Sequence, residues 1–512
     1  MRRWGQDRWA LVFILLLAWA LRLLPVLDNR FHADEALYGY WGLLIGRGED
    51  PWLAEVPVDK PPLMPYLVAG TQALFGSQRG SPWGSSEFSV RLPGLAAGLL
   101  TVPLTAGLAY SLYRERWIAT VAGVVAALSP FAILFSATAF TDPVMVMLGL
   151  AACGAAARGR PGWAGLLVGL AFATKQTGLA WLPLVIGVQV ANWRRRVLDL
   201  KPQVSTLFWL LPVIGLVSMW DIVRVGQGAE SFWRLGIISY GGLRPIWPQE
   251  LWTRLRGWVE LARYLFVSPV VNGLLMAGLP ALVWCGVRRP RCAAAGLDTG
   301  RYTRKSSLDL LLVAFLLIYF FLHWLWAFPV WDRYLLPLVP VLAILVGRMF
   351  SILSGRLQTA GRRAQVLSSL IGHCLLFVCL AVPALKGAQS RYPVGGDHWA
   401  YDGIEKVAAY LQNLPEGAVV YHHWLGWHYA YHLFDAPIYL AYWPTPAWLA
   451  RDVQAFGVRE PRYITFPSWE SSARVEQALA GVGYELEPVL TTIHRDGTPS
   501  FTVYHTRALF DQ

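Results

Sequence analysis

Long apolar runs separated by short polar connectors dominate this chain. Leu11–Leu24, Leu95–Leu112 and Leu308–Leu325 carry very little charge, and runs of about 20 apolar residues match the bilayer core. The pattern predicts membrane helices near 9–27, 91–113, 117–136, 142–157, 162–174, 177–191, 204–224, 261–286, 308–328, 333–350 and 366–386. The short pair 162–174 and 177–191 is broken at Lys175-Gln176-Thr177-Gly178, as tolerated where helices line a cavity. Two other regions are long and polar. In loop 28–90, Ala36–Ile45 reads as helical and Pro62–Phe75 as an amphipathic helix along the membrane surface. In 225–260, tryptophans alternate with arginines, an interfacial signature.

From about residue 390 the period changes. Helical pieces (Asp402–Leu414, Trp427–Phe434, Ala447–Phe456, Ser471–Ala480) alternate with strand-like ones (Ala418–His422, Ile438–Ala441, Arg462–Phe466), and a hairpin turns at Asp496-Gly497. That alternation predicts a small α/β domain with a largely parallel sheet. The expected organisation is a polytopic α-helical membrane domain over 1–389, with about eleven transmembrane helices, followed by an α/β domain over 390–512.

Composition supports the membrane class. Of 512 residues, 55% are hydrophobic and 15% charged, against about a quarter charged in soluble domains. The net charge of +12 would admit a nucleic-acid partner were it not concentrated in alternate connectors. These are Arg2-Arg3, Arg114–Arg116, Arg158–Arg160, Arg194–Arg196, Arg288–Arg291 with Arg301–Lys305, and Arg356–Arg363. Basic connectors face the cytoplasm, so the charge reports topology: amino terminus cytoplasmic, carboxyl-terminal domain extracytoplasmic, the whole in the cell membrane. The five cysteines form neither a disulfide framework nor a metal-ligand spacing. The first helix lacks a small-x-small cleavage site and reads as uncleaved.

Five polar groups then fall on one membrane face. Asp34-Glu35 opens the helical stretch of the first loop. Asp34 is suited to act as general base, with Glu35 in support, although two acids also suit a helix amino terminus. Asp59-Lys60-Pro61-Pro62 places an acid and a cation on a stiff backbone. Lys60 suits a phosphate and Asp59 a divalent cation, while an ordinary surface loop remains the plain alternative. Asp142 follows the third predicted helix, where helix capping is the competing role. Lys175, in the helix break, is a further candidate cation for the donor phosphate. Arg333, at the mouth of helix 333–350, presents a fork that fits a phosphate or anchors the interface. In the tail, His422, His423, His428 and His432 cluster. His428 and His432 share a helix face but lack the glutamate of the zinc-protease motif, so a polar domain face or an acceptor groove competes with a metal site. His32 lies beside the acidic pair.

In this order the motifs resemble the GT-C superfamily of membrane glycosyltransferases. The branch is that of protein O-mannosyltransferases, lipid A aminoarabinose transferases and RgtA/B/C/D-like enzymes. The likeness rests on His32-Ala33-Asp34-Glu35, Asp59 to Pro62, Glu87-Phe88-Ser89-Val90-Arg91-Leu92-Pro93, Asp142, Gly169-Leu170-Ala171-Phe172-Ala173-Thr174-Lys175, and Arg333-Tyr334-Leu335-Leu336-Pro337-Leu338, and covers about residues 9–350. The resemblance implies a polyprenyl-phosphate-linked sugar as donor, used on the outer face, with an acceptor hydroxyl on protein, lipid or glycan. Asp34 matches the acid that deprotonates or orients the acceptor, Asp142 a second acid of the same cavity, and Lys60 and Arg333 the cations at the donor phosphate. Asp59 matches a metal-contacting acid. Some relatives add a histidine ligand in the second outer loop, and 225–260 has no histidine. The competing readings are a transporter or lipid flippase, favoured by the broken helix but lacking internal repeats, and a non-catalytic scaffold whose outer domain binds a partner.

Overall fold

A computed structural model describes residues 2–76, 86–192, 200–287, 299–356 and 362–509. The basic clusters 194–196 and 288–291 lie outside the described residues. The order opens with α1 (Arg2–Asp28), α2 (Ala33–Arg47), α3 (Leu63–Phe75), α4 (Ser86–Tyr113), α5 (Arg116–Leu128), α6 (Pro130–Ser136), α7 (Thr141–Ala157) and α8 (Pro161–Thr174). It continues with α9 (Leu182–Asn192), α10 (Lys201–Gly226), α11 (Phe232–Ser239), α12 (Leu251–Ala262) and α13 (Pro269–Val287). Helices Thr299–Leu325, Leu338–Arg356 and Arg362–Ala388 complete the helical part.

Among the described residues, five helices are long and apolar enough to cross a membrane, or six with the bent pair α5 and α6. Shorter apolar helices stand at the other positions expected to cross: Thr141–Ala157, Pro161–Thr174, Gln176–Ala191, Pro269–Cys285 and Cys374–Ala388. The protein is therefore a membrane protein of mostly helical build.

Departures from the sequence pattern have local causes. The run expected as one helix over 117–136 bends by 59° at Ser129-Pro130. Proline has no N–H to continue the ladder, and Ser129 caps the new helix through Ala132 N at 3.2 Å while donating to Leu265 O at 2.7 Å. Arg22, inside the first apolar run, is 1% exposed. It donates at this bend to Ser136 Oγ (3.2 Å), Ala127 O (3.0 Å) and Ala126 O (3.1 Å), so its burial is compensated. The helix expected over 261–286 begins only at Pro269, after α12 ends at Ala262.

The carboxyl-terminal part forms a five-stranded sheet in the order β2-β1-β3-β5-β4, with β1 Val419–His422, β2 Tyr439–Tyr442, β3 Arg462–Pro467, β4 Tyr484–Ile493 and β5 Pro499–Ala508. The expected sheet was largely parallel. The observed one is mixed, because β1 pairs in parallel with β2 and β3 while the final hairpin adds two antiparallel ladders. Helices Ile404–Leu411, Gly426–His432, Pro446–Phe456 and Ala473–Ala480 cover it.

This part is fastened to the first loop. His428 is fully buried and its Nε2 lies 2.9 Å from Phe31 O, Arg30 pairs with Glu405 at 3.1 Å, and Arg495 donates to Asp28 at 2.5 Å. Gly39 of α2 packs against Tyr431, where a Cβ would approach the ring to 2.8 Å. His428 and His432 thus serve this seam. Among the described residues, no group of three or more histidine, cysteine, aspartate or glutamate side chains is placed to hold a metal.

Candidate active site

A cavity of about 1080 Å³ lies where the first loop, the 331–333 turn, α11 and the carboxyl-terminal part meet. Asp34, Asp59, Lys60 and Arg333 all line it. Four of the residues singled out in the sequence therefore share one hollow, although Asp34 and Arg333 are 299 positions apart.

Asp34 stands at the start of α2. His32 caps that helix by accepting from Asp34 N at 3.1 Å, and the helix dipole favours an acid there. Arg333 Nη1 donates to Asp34 Oδ2 at 2.6 Å, with the Asp34 side chain 38% exposed and Arg333 13%. Burial pushes the Asp34 carboxyl up, but Arg333, His32 and Lys60 together outweigh it and hold the group below the usual carboxylate range. Arg333 is held flat between Trp331 (4.3 Å) and Phe140 (5.1 Å).

Lys60 is 7% exposed, is ion-paired with Asp59 and lies 5.2 Å from the Tyr240 ring. Gln176 fixes this turn, donating to Asp59 O at 2.7 Å and accepting from Tyr240 at 3.0 Å. Asp59 thus neutralises Lys60. The residues present do not fit the divalent ion expected at Asp59: both candidate carboxylates of the donor side are occupied by cations, and a third ligand is lacking among the described residues.

Glu35, Asp142 and Lys175 do not line the cavity. Glu35 is fully buried, and its oxygens accept from Arg91 Nε (2.7 Å), Arg91 Nη2 (3.0 Å), Ala139 N (3.0 Å) and His32 N (3.0 Å). Arg91 in turn donates to Asn29 O (2.7 Å) and Arg30 O (2.6 Å). Lys175 and Asp142, each 1% exposed, bond to each other at 2.6 Å. The Lys175 ammonium also lies 4.4 Å from the Tyr334 ring, next to Arg333. Each partner satisfies a charge that burial would otherwise leave bare.

Sequence reasoning missed the far wall. Gly395, Gly396, Asp397, His398, Tyr401 and Trp469 line the cavity from the carboxyl-terminal side. Gly395 N donates to Asp332 Oδ2 at 2.8 Å, tying this segment to the residue before Arg333. The Gly395-Gly396-Asp397 triplet is a turn signal, and nothing more in the sequence marks it as part of a site.

A separate apolar cleft of about 510 Å³ opens between α3, α8 and α10, lined by Pro62, Leu63, Tyr66, Leu170, Val213 and Trp220 among others. It begins two residues from Lys60.

Residues 59–220 match the family described as dolichyl-phosphate-mannose-protein mannosyltransferase. No curated protein matches the sequence. Among solved structures, ArnT from Cupriavidus metallidurans in the apo state is 16% identical, with a TM-score of 0.62 over 99% of this chain and 98% of that one. The same protein bound to undecaprenyl phosphate is 15% identical, with a TM-score of 0.60 over 96% and 97%. The oligosaccharyltransferase AglB from Archaeoglobus fulgidus is a looser likeness, 14% identical with a TM-score of 0.48 over 94% and 69%. The chain thus shares the fold of ArnT over nearly its whole length, and its residues 59–220 resemble the dolichyl-phosphate-mannose-protein mannosyltransferase family.

Proposed function

We propose that this protein transfers a sugar from a polyprenyl-phosphate donor to an acceptor hydroxyl on the outer face of the membrane. One observation carries the reading: Asp34, Lys60 and Arg333 meet in a cavity large enough for a sugar phosphate, beside an apolar cleft suited to the lipid. ArnT, which shares the fold, is solved with undecaprenyl phosphate.

The donor phosphate sits between Lys60 and Arg333, where its charge is met by a point cation and a planar fork. The acceptor oxygen attacks the anomeric carbon, the bond from that carbon to the phosphate oxygen breaks, and the electron pair leaves as polyprenyl phosphate. The acceptor proton passes to Asp34. The two cations stabilise the charge that develops on the leaving oxygen. Arg333 donates to Asp34. A bound phosphate competes for that guanidinium, and releasing it raises the basicity of Asp34, so donor binding prepares the base. Glu35, Asp142 and Lys175 act as positioning residues. Glu35 fixes the turn before α2, and the Asp142–Lys175 pair supports Tyr334.

The test is mass spectrometry of envelope glycans from cells that lack this protein, complemented with the parent chain or with Asp34→Asn. The parent restores a glycan mass increment of one sugar. An Asp34→Asn protein that binds undecaprenyl phosphate and restores the increment equally refutes the assigned base.

A further inference from the structure

The break between α8 and α9 sends two consecutive side chains to different places. Lys175 has extended backbone, with φ of −156° and ψ of 138°. Its ammonium reaches Asp142 at 2.6 Å, while Gln176 turns to the first loop. Gln176 Nε2 donates to Asp59 O at 2.7 Å, and its Oε1 accepts from the Tyr240 hydroxyl at 3.0 Å. One amide thus ties together segments that lie 117 and 64 positions from it in the chain.

Tyr240 caps the carboxyl end of α11, where its N–H donates to Gly236 O at 2.9 Å. The helix lies against α8 through the stacked rings of Trp233 and Phe172 at 5.6 Å. Gly236 lets α11 approach the tie closely: a Cβ there would stand 2.8 Å from Gln176 Nε2 and 3.2 Å from Asp59 O. Tyr240 is 4% exposed and meets Phe328 edge to face at 5.9 Å. Burial, then Tyr334, Asp142 and Asp59, push its hydroxyl pKa up, so the group stays protonated and donates to Gln176.

The Lys60 ammonium rests over the face of this ring, 5.2 Å from its centre, and is ion-paired with Asp59. A lysine carries its charge on a flexible four-carbon stem, and a free one would lose rotamer freedom on meeting a phosphate. Here Gln176 ties down the carbonyl that precedes Lys60, and a buried aromatic face holds the ammonium, an attraction that grows as water is excluded. The cation is therefore set in place in advance, which raises affinity for a ligand that needs it there. Lys60 lines the cavity, whereas Gln176 and Tyr240 stand behind it.

We infer that Tyr240 and Gln176 are positioning residues for the donor phosphate, acting through Lys60: the ring seats the ammonium, the amide ties the Asp59-Lys60 turn to that ring, and together they set the affinity for polyprenyl phosphate. This rests on the glycosyltransferase reading and deepens it by naming what holds the donor-side lysine. The helix break thereby serves the donor site through Gln176, as well as the buried Asp142–Lys175 pair.

The experiment uses the full chain in lipid nanodiscs, with undecaprenyl phosphate as the probe and native mass spectrometry as the readout, over lipid concentrations wide enough to follow a complex about a hundredfold weaker than the parent's. Tyr240→Leu removes the ring face and Gln176→Leu the tie, and each is expected to weaken binding about tenfold. Tyr240→Phe keeps the face and loses only the hydroxyl, so it should weaken binding about threefold. The same substitutions are then combined with Lys60→Gln, a background in which Arg333 still offers the phosphate a cation. Because the effect passes through Lys60, each should cost less than about twofold there, the non-additivity expected of residues that share one partner. Parent-like binding by both Tyr240→Leu and Gln176→Leu overturns the proposal. Equal fold losses with and without Lys60 also overturn it, since a general structural role gives that result. Tyr240→Phe retains the ring's bulk, so the comparison stands should Tyr240→Leu fold poorly. A parent chain that does not bind undecaprenyl phosphate would overturn the donor reading on which this one rests.

Discussion

Replacing Glu35 by Gln separates positioning from chemistry at the acidic pair. Gln keeps the shape but removes the charge that faces Arg91. Arg91 is 1% exposed, and its next acid, Glu87, stands at 3.9 Å, too far to replace a bidentate partner at 2.7 and 3.0 Å. Breaking a buried pair from one side costs about 3–5 kcal/mol. At about 1.4 kcal/mol per factor of ten, a loss expressed in unfolding speeds that step by roughly two to four orders of magnitude. The assay is the rate of tryptophan-fluorescence loss at fixed temperature in detergent, a rate being the appropriate quantity where unfolding is irreversible. Glu35→Gln should also weaken glycan transfer only through lost order around Asp34 and His32. An unfolding rate within threefold of the parent, together with abolished transfer, would refute it and make Glu35 a chemical participant.

Other expectations concern the remaining charges. Arg333→Lys loses the planar fork held at 2.6 Å from Asp34, and undecaprenyl phosphate binding by native mass spectrometry should fall about tenfold, the equivalent of roughly 1.4 kcal/mol; unchanged affinity contradicts its phosphate role. Lys175→Met strands Asp142 and should destabilise the protein by about 3–5 kcal/mol, whereas Lys175→Met with Asp142→Leu should recover much of that loss, a coupling measurable as a double-mutant cycle. Asp397, with its carboxyl raised to about 6 from an unfolded value near 3.9, binds its proton more tightly when folded. Its charge therefore opposes folding above about pH 6, and that cost fades as the pH falls toward 4. Asp397→Asn should accordingly stabilise the parent by roughly 2–3 kcal/mol at pH 7 and by little at pH 4; equal effects at both values would contradict a carboxyl raised by burial.

The sequence by itself determined the membrane class, most of the apolar helices, the alternating tail and the outer-loop acids and cations. Each is a local signal: hydrophobic length, a period change, a proline-stiffened motif. Residues 331–333 already announced an arginine near a helix mouth. Only the tertiary structure decided which of these charges face a ligand. Glu35 stands beside Asp34 in the chain, yet helical geometry points one into the protein against Arg91 and the other into the cavity. Lys175 and Lys60 look alike as isolated cations, but Lys175 is closed off by Asp142 while Lys60 lines the hollow. The bend at Ser129-Pro130 was hidden because hydrophobicity runs unbroken through it. The mixed sheet was hidden because strand direction is set by long-range pairing. Asp397 was illegible for the same reason: its burial in the cavity wall arises only when residues hundreds of positions apart are folded together.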